Sequence, residues 1–153
     1  MTESLREIVL VLSRFSCPPI LYGSFAGEIV LGRSLSAHDI DLLIPAALLK
    51  RKSELDQAFR EAGFRPLSRV VPTYEKAGIE TELAEWEKWS ARCGWKAAGT
   101  FRPAGFPCLV LNADSLARLY GFLETDPERP EEKRRKDALK RRLFQEFLET
   151  EHH

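Results

Sequence analysis

The sequence predicts an α/β (α+β) fold, a mixed β-sheet flanked by helices, on three observations. Short apolar runs alternate with amphipathic stretches through the first half of the chain, glycine or proline stands at most junctions, and the C-terminal stretch reads as one long helix. At 153 residues, 44% hydrophobic and 30% charged, the chain is sized for one hydrophobic core, so residues 1–153 are expected to form a single domain with helix 131–149 packed on it.

The elements follow in order. Thr2 to Phe15 carries Leu5, Ile8, Val9 and Leu12 on one helical face, with Ser4 and Glu7 spaced as a capping box, and Pro18-Pro19 stops it. Ile20 to Tyr22 is a short buried strand, Gly23-Ser24 a turn, and Phe25 to Leu31 a helix closed by Gly32. Asp39 to Ile44 is a strand ended by Pro45, and Ala46 to Ala62 a helix that Gly63 stops. Phe64 to Val71 and Gly78 to Ala84 are expected to pair as strands. The stretch from Glu85 to Pro107 gives no clear period, with short strands and irregular cover both open. Cys108 to Leu111 is a brief strand, and Asn112 or Asp114 caps a helix to Leu123.

Composition excludes several function classes. Lysine plus arginine and aspartate plus glutamate both total 23, so no global field draws the protein to nucleic acid or membrane, and any basic surface is local. Cys17, Cys93 and Cys108 lack the CxxC spacing of zinc and redox sites and are expected as buried thiols. No apolar run reaches the ~18 residues of a membrane span, and charges inside the first apolar stretch argue against a signal peptide. A cytoplasmic location is the expectation.

The chemistry is carried by Asp39 and Asp41. Two residues apart on a strand, they share a face about 7 Å or less from each other while Ile40 and Leu42 pack behind. At an effective dielectric near 20 their repulsion costs roughly 2 kcal/mol, which a hard divalent cation would offset. The triplet alone also describes a solvated edge strand. Gly23-Ser24, at the start of a helix whose N–H groups can hold phosphate, adds an anion site beside the cation site. In "GIETELAEW", Ile79, Thr81 and Leu83 alternate toward the core, leaving Glu80 and Glu82 on the face that Asp39 and Asp41 would share. Either glutamate could then serve as a third carboxylate or a general base.

Gly23-Ser24, then Leu31-Gly32-Arg33, then His38-Asp39-Ile40-Asp41 resembles the signature of the DNA polymerase beta-like nucleotidyltransferase superfamily, most of all its small antibiotic-type and minimal members. The resemblance is good over about residues 20 to 45 and looser through Glu82. It implies a nucleotidyltransferase-like sheet, one or two Mg²⁺ ions on Asp39 and Asp41, and a nucleoside triphosphate held by Gly23, Ser24, Arg33, His38 and Lys136. It further implies Glu80 or Glu82 as the remaining catalytic acid and Glu28 facing the acceptor. The implied reaction moves a nucleoside monophosphate to a hydroxyl of a small, antibiotic-like acceptor. The chain departs from the pattern at Ser36-Ala37, ahead of His38, and in offering two glutamates where an aspartate is usual.

The final helix is locally basic. Leu139, Leu143 and Phe147 form one i, i+4 stripe and Phe144 and Leu148 an adjacent one, expected to dock on the body, with Lys133, Lys136 and Lys140 on a neighbouring face that is either solvated or contributes to nucleotide phosphates or an RNA acceptor. Trp86, Trp89 and Trp95 are candidates for an acceptor wall, though packing is the commoner use of tryptophan. The alternative readings are a toxin-like transferase with an RNA or protein partner, and a binding protein that keeps the fold without catalysis.

Overall fold

In the computed structural model, residues 1–94, 97–101 and 105–151 are described, with 97–101 as backbone only. Fourteen elements run in the order α1 (Thr2–Ser13), β1 (Ile20–Tyr22), α2 (Gly23–Leu31), β2 (Ile40–Ile44), α3 (Ala46–Leu49), α4 (Lys52–Glu61), β3 (Arg65–Leu67), β4 (Thr73–Lys76), β5 (Ile79–Glu85), α5 (Trp86–Cys93), β6 (Ala97–Phe101), β7 (Cys108–Leu111), α6 (Ala113–Glu124) and α7 (Glu131–Glu151). The strands form one mixed sheet in the order β3-β4-β5-β2-β1-β7-β6. β2 runs antiparallel to β1 and parallel to β5, and β1 runs parallel to β7. The α/β expectation holds.

One apolar side of α1, with Leu5, Ile8, Val9 and Leu12 buried, joins Ile40, Leu42, Ile44 and Leu83 in the core. Burying such a side chain contributes roughly 1.5–3 kcal/mol, which is what holds the short central strands in register. Phe59 of α4 stacks on Tyr74 of β4 at 4.0 Å between ring centres, and the Tyr74 hydroxyl donates to Asp56 at 2.6 Å. Cys17, Cys93 and Cys108 are free and buried, as expected. Asn112, rather than Asp114, caps α6 by accepting from the Ser115 N–H at 2.8 Å.

Four expectations need correction. The Ser4–Glu7 box does not form, because α1 already begins at Thr2 after Met1 and has no side-chain cap; Glu7 pairs instead with Lys76 at 3.1 Å. The helix expected over 46–62 is two, broken where Arg51 leaves helical geometry and lays its guanidinium over the Phe15 ring. The strand after Phe64 does not pair with Gly78 to Ala84. A further strand, β4, lies between, because Ala77-Gly78 with φ of 53° and 80° makes the tight reversal that joins β4 to β5. Pro66 then sits on the outer strand β3, where a missing N–H is tolerated. Finally, of the two stripes expected to dock α7, the one with Phe144 does so, that ring being fully buried against Tyr120, whereas Leu139 of the other is 59% exposed.

Phe144 also explains Gly27. A Cβ there would stand 2.6 Å from Phe144 Cζ and 2.8 Å from Leu35 Cδ1, so the ring of α7 lies directly against the backbone of α2. At the start of α7, Arg129 donates to both oxygens of the buried Asp137, at 2.5 and 3.1 Å. These two contacts set the helix over the sheet. Among the described residues, no helix is long and apolar enough to cross a membrane.

Candidate active site

Parallel pairing of β2 with β5 places Asp41 beside Glu82, and one step back Asp39 accepts a hydrogen bond from the Glu80 backbone N–H. The alternation expected of both strands is present, and four carboxylates share one face of the sheet. They are not equivalent. Glu80 is ion-paired with Arg69 at 3.2 Å. Asp41 is half-buried, and burial, then the charges of Glu82 and Asp39, push its carboxyl up to about 7 against a pull from Lys140. Burial followed by Asp39 and Glu80 raises Glu82, opposed by Lys133 and Arg69. Asp39 is also raised, by burial and by Glu80. Like charges that raise one another mark a cluster in want of a cation.

The N-terminus of α2 closes the site from above. Gly23 opens the helix with φ of 77°, and a Cβ on it would lie 2.4 Å from Asp41 Oδ2, so only glycine admits this carboxylate so close to the helix start. The unshared backbone N–H groups of the first turn are thereby set within reach of the acids. Ser24, the next residue, accepts from Lys140 Nζ at 2.8 Å and lies 3.4 Å from the Tyr120 hydroxyl. The Lys140 ammonium sits 5.3 Å from the Tyr120 ring centre, its pKa lowered by burial.

Between these parts lies a cleft of about 500 Å³. Ser24, His38, Asp39 and Asp41 line one side and Lys136, Leu139, Lys140 and Leu143 of α7 the other. Hence the basic final helix does stand beside the acids. Lys140, which contributes the closest polar contact, was not among the expected site residues. Its i, i+4 relation to Lys136, which lines the same cleft, was the available signal.

Five expected residues do not line this cleft: Gly23, Glu80 and Glu82 stand beside it, next to Asp41 and Asp39, while Glu28 and Arg33 are placed elsewhere. Glu28 does not line the cleft: its Oε2 accepts the Leu35 and Ala37 N–H groups at 2.7 and 3.0 Å, holding the loop before β2. Arg33, exposed after the αL turn at Gly32, does not line it either. Trp89 packs edge-on against Phe122 under Arg92, and Trp86 is half-buried against the core; neither lines the cleft, and Trp95 lies outside the described residues. A second cleft, of about 440 Å³, lies between Phe15, Pro18, Pro45 and Leu48 and is lined by no carboxylate.

Among the described residues, no group of three or more His, Cys, Asp or Glu side chains is gathered tightly enough to hold a metal as it stands. The donor chemistry still fits magnesium, which takes oxygen ligands and is commonly held by one or two carboxylates together with substrate phosphates. Asp39 and Asp41 supply such a pair, on a face where carboxylate charge is already excessive.

No known family model matches the sequence. YnaI of Bacillus subtilis (strain 168) is 27% identical over 133 residues, covering 85% of each chain. A 69-residue stretch is 39% identical to the UDP-N-acetylglucosamine--N-acetylmuramyl-(pentapeptide) pyrophosphoryl-undecaprenol N-acetylglucosamine transferase of Ectopseudomonas mendocina (strain ymp). That stretch is 44% of this chain and spans only 19% of the relative's length. Among solved structures, the antibiotic-resistance factor ANT(2'')-Ia in solution superposes with a TM-score of 0.59 at 21% identity, over 99% of this chain and 95% of that one. The same factor in complex with adenylyl-2''-tobramycin gives 0.56 at 18% identity, over 96% and 98%. An antigenic nucleotidyltransferase-like protein from Paracoccidioides brasiliensis gives 0.62 at 16% identity, over 92% and 74%. The fold is the one these nucleotidyltransferases have.

Proposed function

From that shared fold, we propose that the chain transfers a nucleoside monophosphate from a nucleoside triphosphate to a hydroxyl of a small acceptor. The observation that carries the reading is the face on which Asp39 and Asp41 stand beside the paired strand of Glu82, capped by the glycine-opened N-terminus of α2. An anion site above a cation site suits a metal-bound triphosphate. The solved neighbour that contains adenylyl-tobramycin supports a small-molecule acceptor.

Each residue then has a task. The first-turn N–H groups at Gly23 and Ser24 bind triphosphate oxygens, and Lys140, held on Ser24 and Tyr120, adds a cation there. Lys136 and His38, from opposite sides of the cleft, reach the same phosphates. Asp39 and Asp41 hold magnesium, which when bound neutralises charge on the carboxylates and phosphates. Glu82, free of the ion pair that engages Glu80, takes the proton of the acceptor hydroxyl. The acceptor oxygen bonds to the α-phosphorus, the bond from that phosphorus to the bridging oxygen of the β-phosphate breaks, and pyrophosphate leaves.

Thermal unfolding with ATP, GTP, CTP and UTP, with and without magnesium, tests this. A nucleotide at a hundred times its dissociation constant stabilises by about 2.7 kcal/mol, a rise of roughly 5–10 °C at this size. The rise should need magnesium and vanish in Asp39→Asn/Asp41→Asn. Absence of a shift with every nucleotide would favour a binding protein without catalysis.

A further inference from the structure

The cleft has two walls, and both rest on one short stretch of α2. The first wall is the segment from Leu35 to Asp39, every residue of which lines the cleft, and the second is α7. A Cβ on Gly27 would meet Leu35 Cδ1 at 2.8 Å and Phe144 Cζ at 2.6 Å, so the segment and the helix abut the same glycine. Glu28, the next residue, ties the segment down. Its Oε2 accepts the Leu35 and Ala37 N–H groups at 2.7 and 3.0 Å.

That tie is not a default of the chain. Between the two N–H groups stands Ser36 with φ of 55°, a left-handed conformation that residues other than glycine rarely adopt. Such a turn aims the flanking N–H groups at one point, and the Glu28 carboxylate lies there. From Ile40 onward β2 is fixed instead by its pairing with β1 and β5. Removing the Glu28 carboxylate therefore loosens residues 35–38 and leaves the acids of β2 in place.

The cleft changes character along α2. At the helix start it is charged, with Asp41 against Gly23 and Lys140 on Ser24. At Gly27, about 6 Å further along the helix axis, it is apolar: Leu35 and Ala37 belong to one wall and Leu139 and Leu143 to the other. Leu139 lines the cleft while 59% exposed, so its apolar surface is left for an occupant to cover. We infer that Glu28 is a positioning residue that sets the width of an apolar slot, between Leu35 and Leu139, for the base of the donor nucleotide. The inference rests on the transferase reading for the phosphates at Gly23 and Ser24. A ribose keeps a base at a similar remove from its phosphates, and a cleft of about 500 Å³ is of the size small-molecule sites have. Aliphatic walls hold a flat, uncharged base by close contact alone, which a widened gap forfeits. Charge holds the phosphates, so loosening one wall should be felt by the base and not by them.

The test is titration calorimetry with ATP, GTP, CTP, UTP and inorganic tripolyphosphate, each with magnesium and no acceptor. Tripolyphosphate carries the charge without the base. Glu28→Ala should weaken the tightest nucleotide at least tenfold and leave tripolyphosphate within twofold of wild type. Glu28→Gln, which keeps an oxygen for the two N–H groups, should hold the nucleotide within threefold. Leu139→Ser, at an exposed position where folding is not at stake, should weaken the nucleotide at least threefold and again spare tripolyphosphate. A melting temperature lowered in Glu28→Ala with nucleotide affinity unchanged would make the contact merely structural and overturn the inference. Equal weakening of nucleotide and tripolyphosphate, or no effect of Leu139→Ser, overturns it too. The two readings fail separately. Nucleotide binding that needs magnesium, Asp39 and Asp41 but ignores Glu28→Ala and Leu139→Ser sinks the slot alone. Nucleotide binding that follows Glu28 and Leu139 but is indifferent to magnesium and to Asp39→Asn/Asp41→Asn sinks the transferase alone.

Discussion

Asp41 and Asp137 are both aspartates removed from bulk water on the same side of the molecule, and they are treated in opposite ways. Asp137 is 1% exposed and receives two hydrogen bonds from Arg129, a bidentate pair that anchors the start of α7. Asp41 faces a second carboxylate in Glu82, a third in Asp39 and the backbone of Gly23, and its nearest compensation is the electrostatic pull of Lys140. A charge buried for structure is completed by the chain itself. A charge buried for chemistry is left for something else to complete, at a standing cost in stability.

That contrast predicts opposite consequences for matched substitutions. The largest effect belongs to Asp41→Asn, which should lower nucleotidyl transfer on the order of 10³-fold, read as pyrophosphate release. The same change should raise the melting temperature of the nucleotide-free protein. Burial, Glu82 and Asp39 lift the Asp41 pKa to about 7, so its contribution to stability is whole below about pH 4 and is lost as pH climbs to 7. The gap between variant and wild type should therefore open between those values and stay level above pH 7. A variant that melts lower than wild type at pH 8 would make Asp41 structural and erase the distinction.

Asp137→Ala should do the reverse. Leaving Arg129 without its partner costs about 3–5 kcal/mol, or roughly 10 °C in melting temperature, with the loss reported by calorimetry. Less severe is the separation of the two glutamates. Glu82→Gln should reduce kcat by about 10²-fold, whereas Glu80→Gln, which removes an exposed pair with Arg69 and one like charge beside Asp39 and Glu82, should change it less than threefold and stability by under about 1 kcal/mol. Equal loss from both would return the third-carboxylate role to the pair as a whole. A small effect of a different kind is expected from Glu28→Gln, about 1 kcal/mol through weaker acceptance of the Leu35 and Ala37 N–H groups, seen as a lower melting temperature with unaltered affinity for the acceptor.

The acidic face was legible before the structure because a strand has a period of two that admits little ambiguity. Asp39, Asp41, Glu80 and Glu82 alternate with residues that must be buried, and both strands obey. Gly23 was legible for a similar reason, as glycine at a strand-to-helix turn. Distinguishing Glu80 from Glu82 needed Arg69, thirteen residues before Glu82 in the sequence and brought alongside only by the hairpins of β3, β4 and β5. The strand β4 itself was missed because Thr73 to Lys76 is short and follows Pro72, and its pairing depends on the turn at Ala77-Gly78. On α7 the difficulty was rotational. Two apolar stripes differ by one residue, and the choice of Phe144 over Leu139 as anchor was made by the space left at Gly27, more than a hundred residues away.

The contact at Gly27 has a wider meaning for how the protein could fail. α2 carries Ser24 at one end and Glu28 one residue beyond Gly27, so the ring of Phe144 touches the same short helix that meets Lys140 and the loop before β2. A single added methyl would press α7 outward without touching the core beneath the sheet. The cleft would then come apart at a lower temperature than the fold, giving a protein that is sound when cool and idle when warm while still structured: the behaviour of a conditional allele, written in one missing side chain.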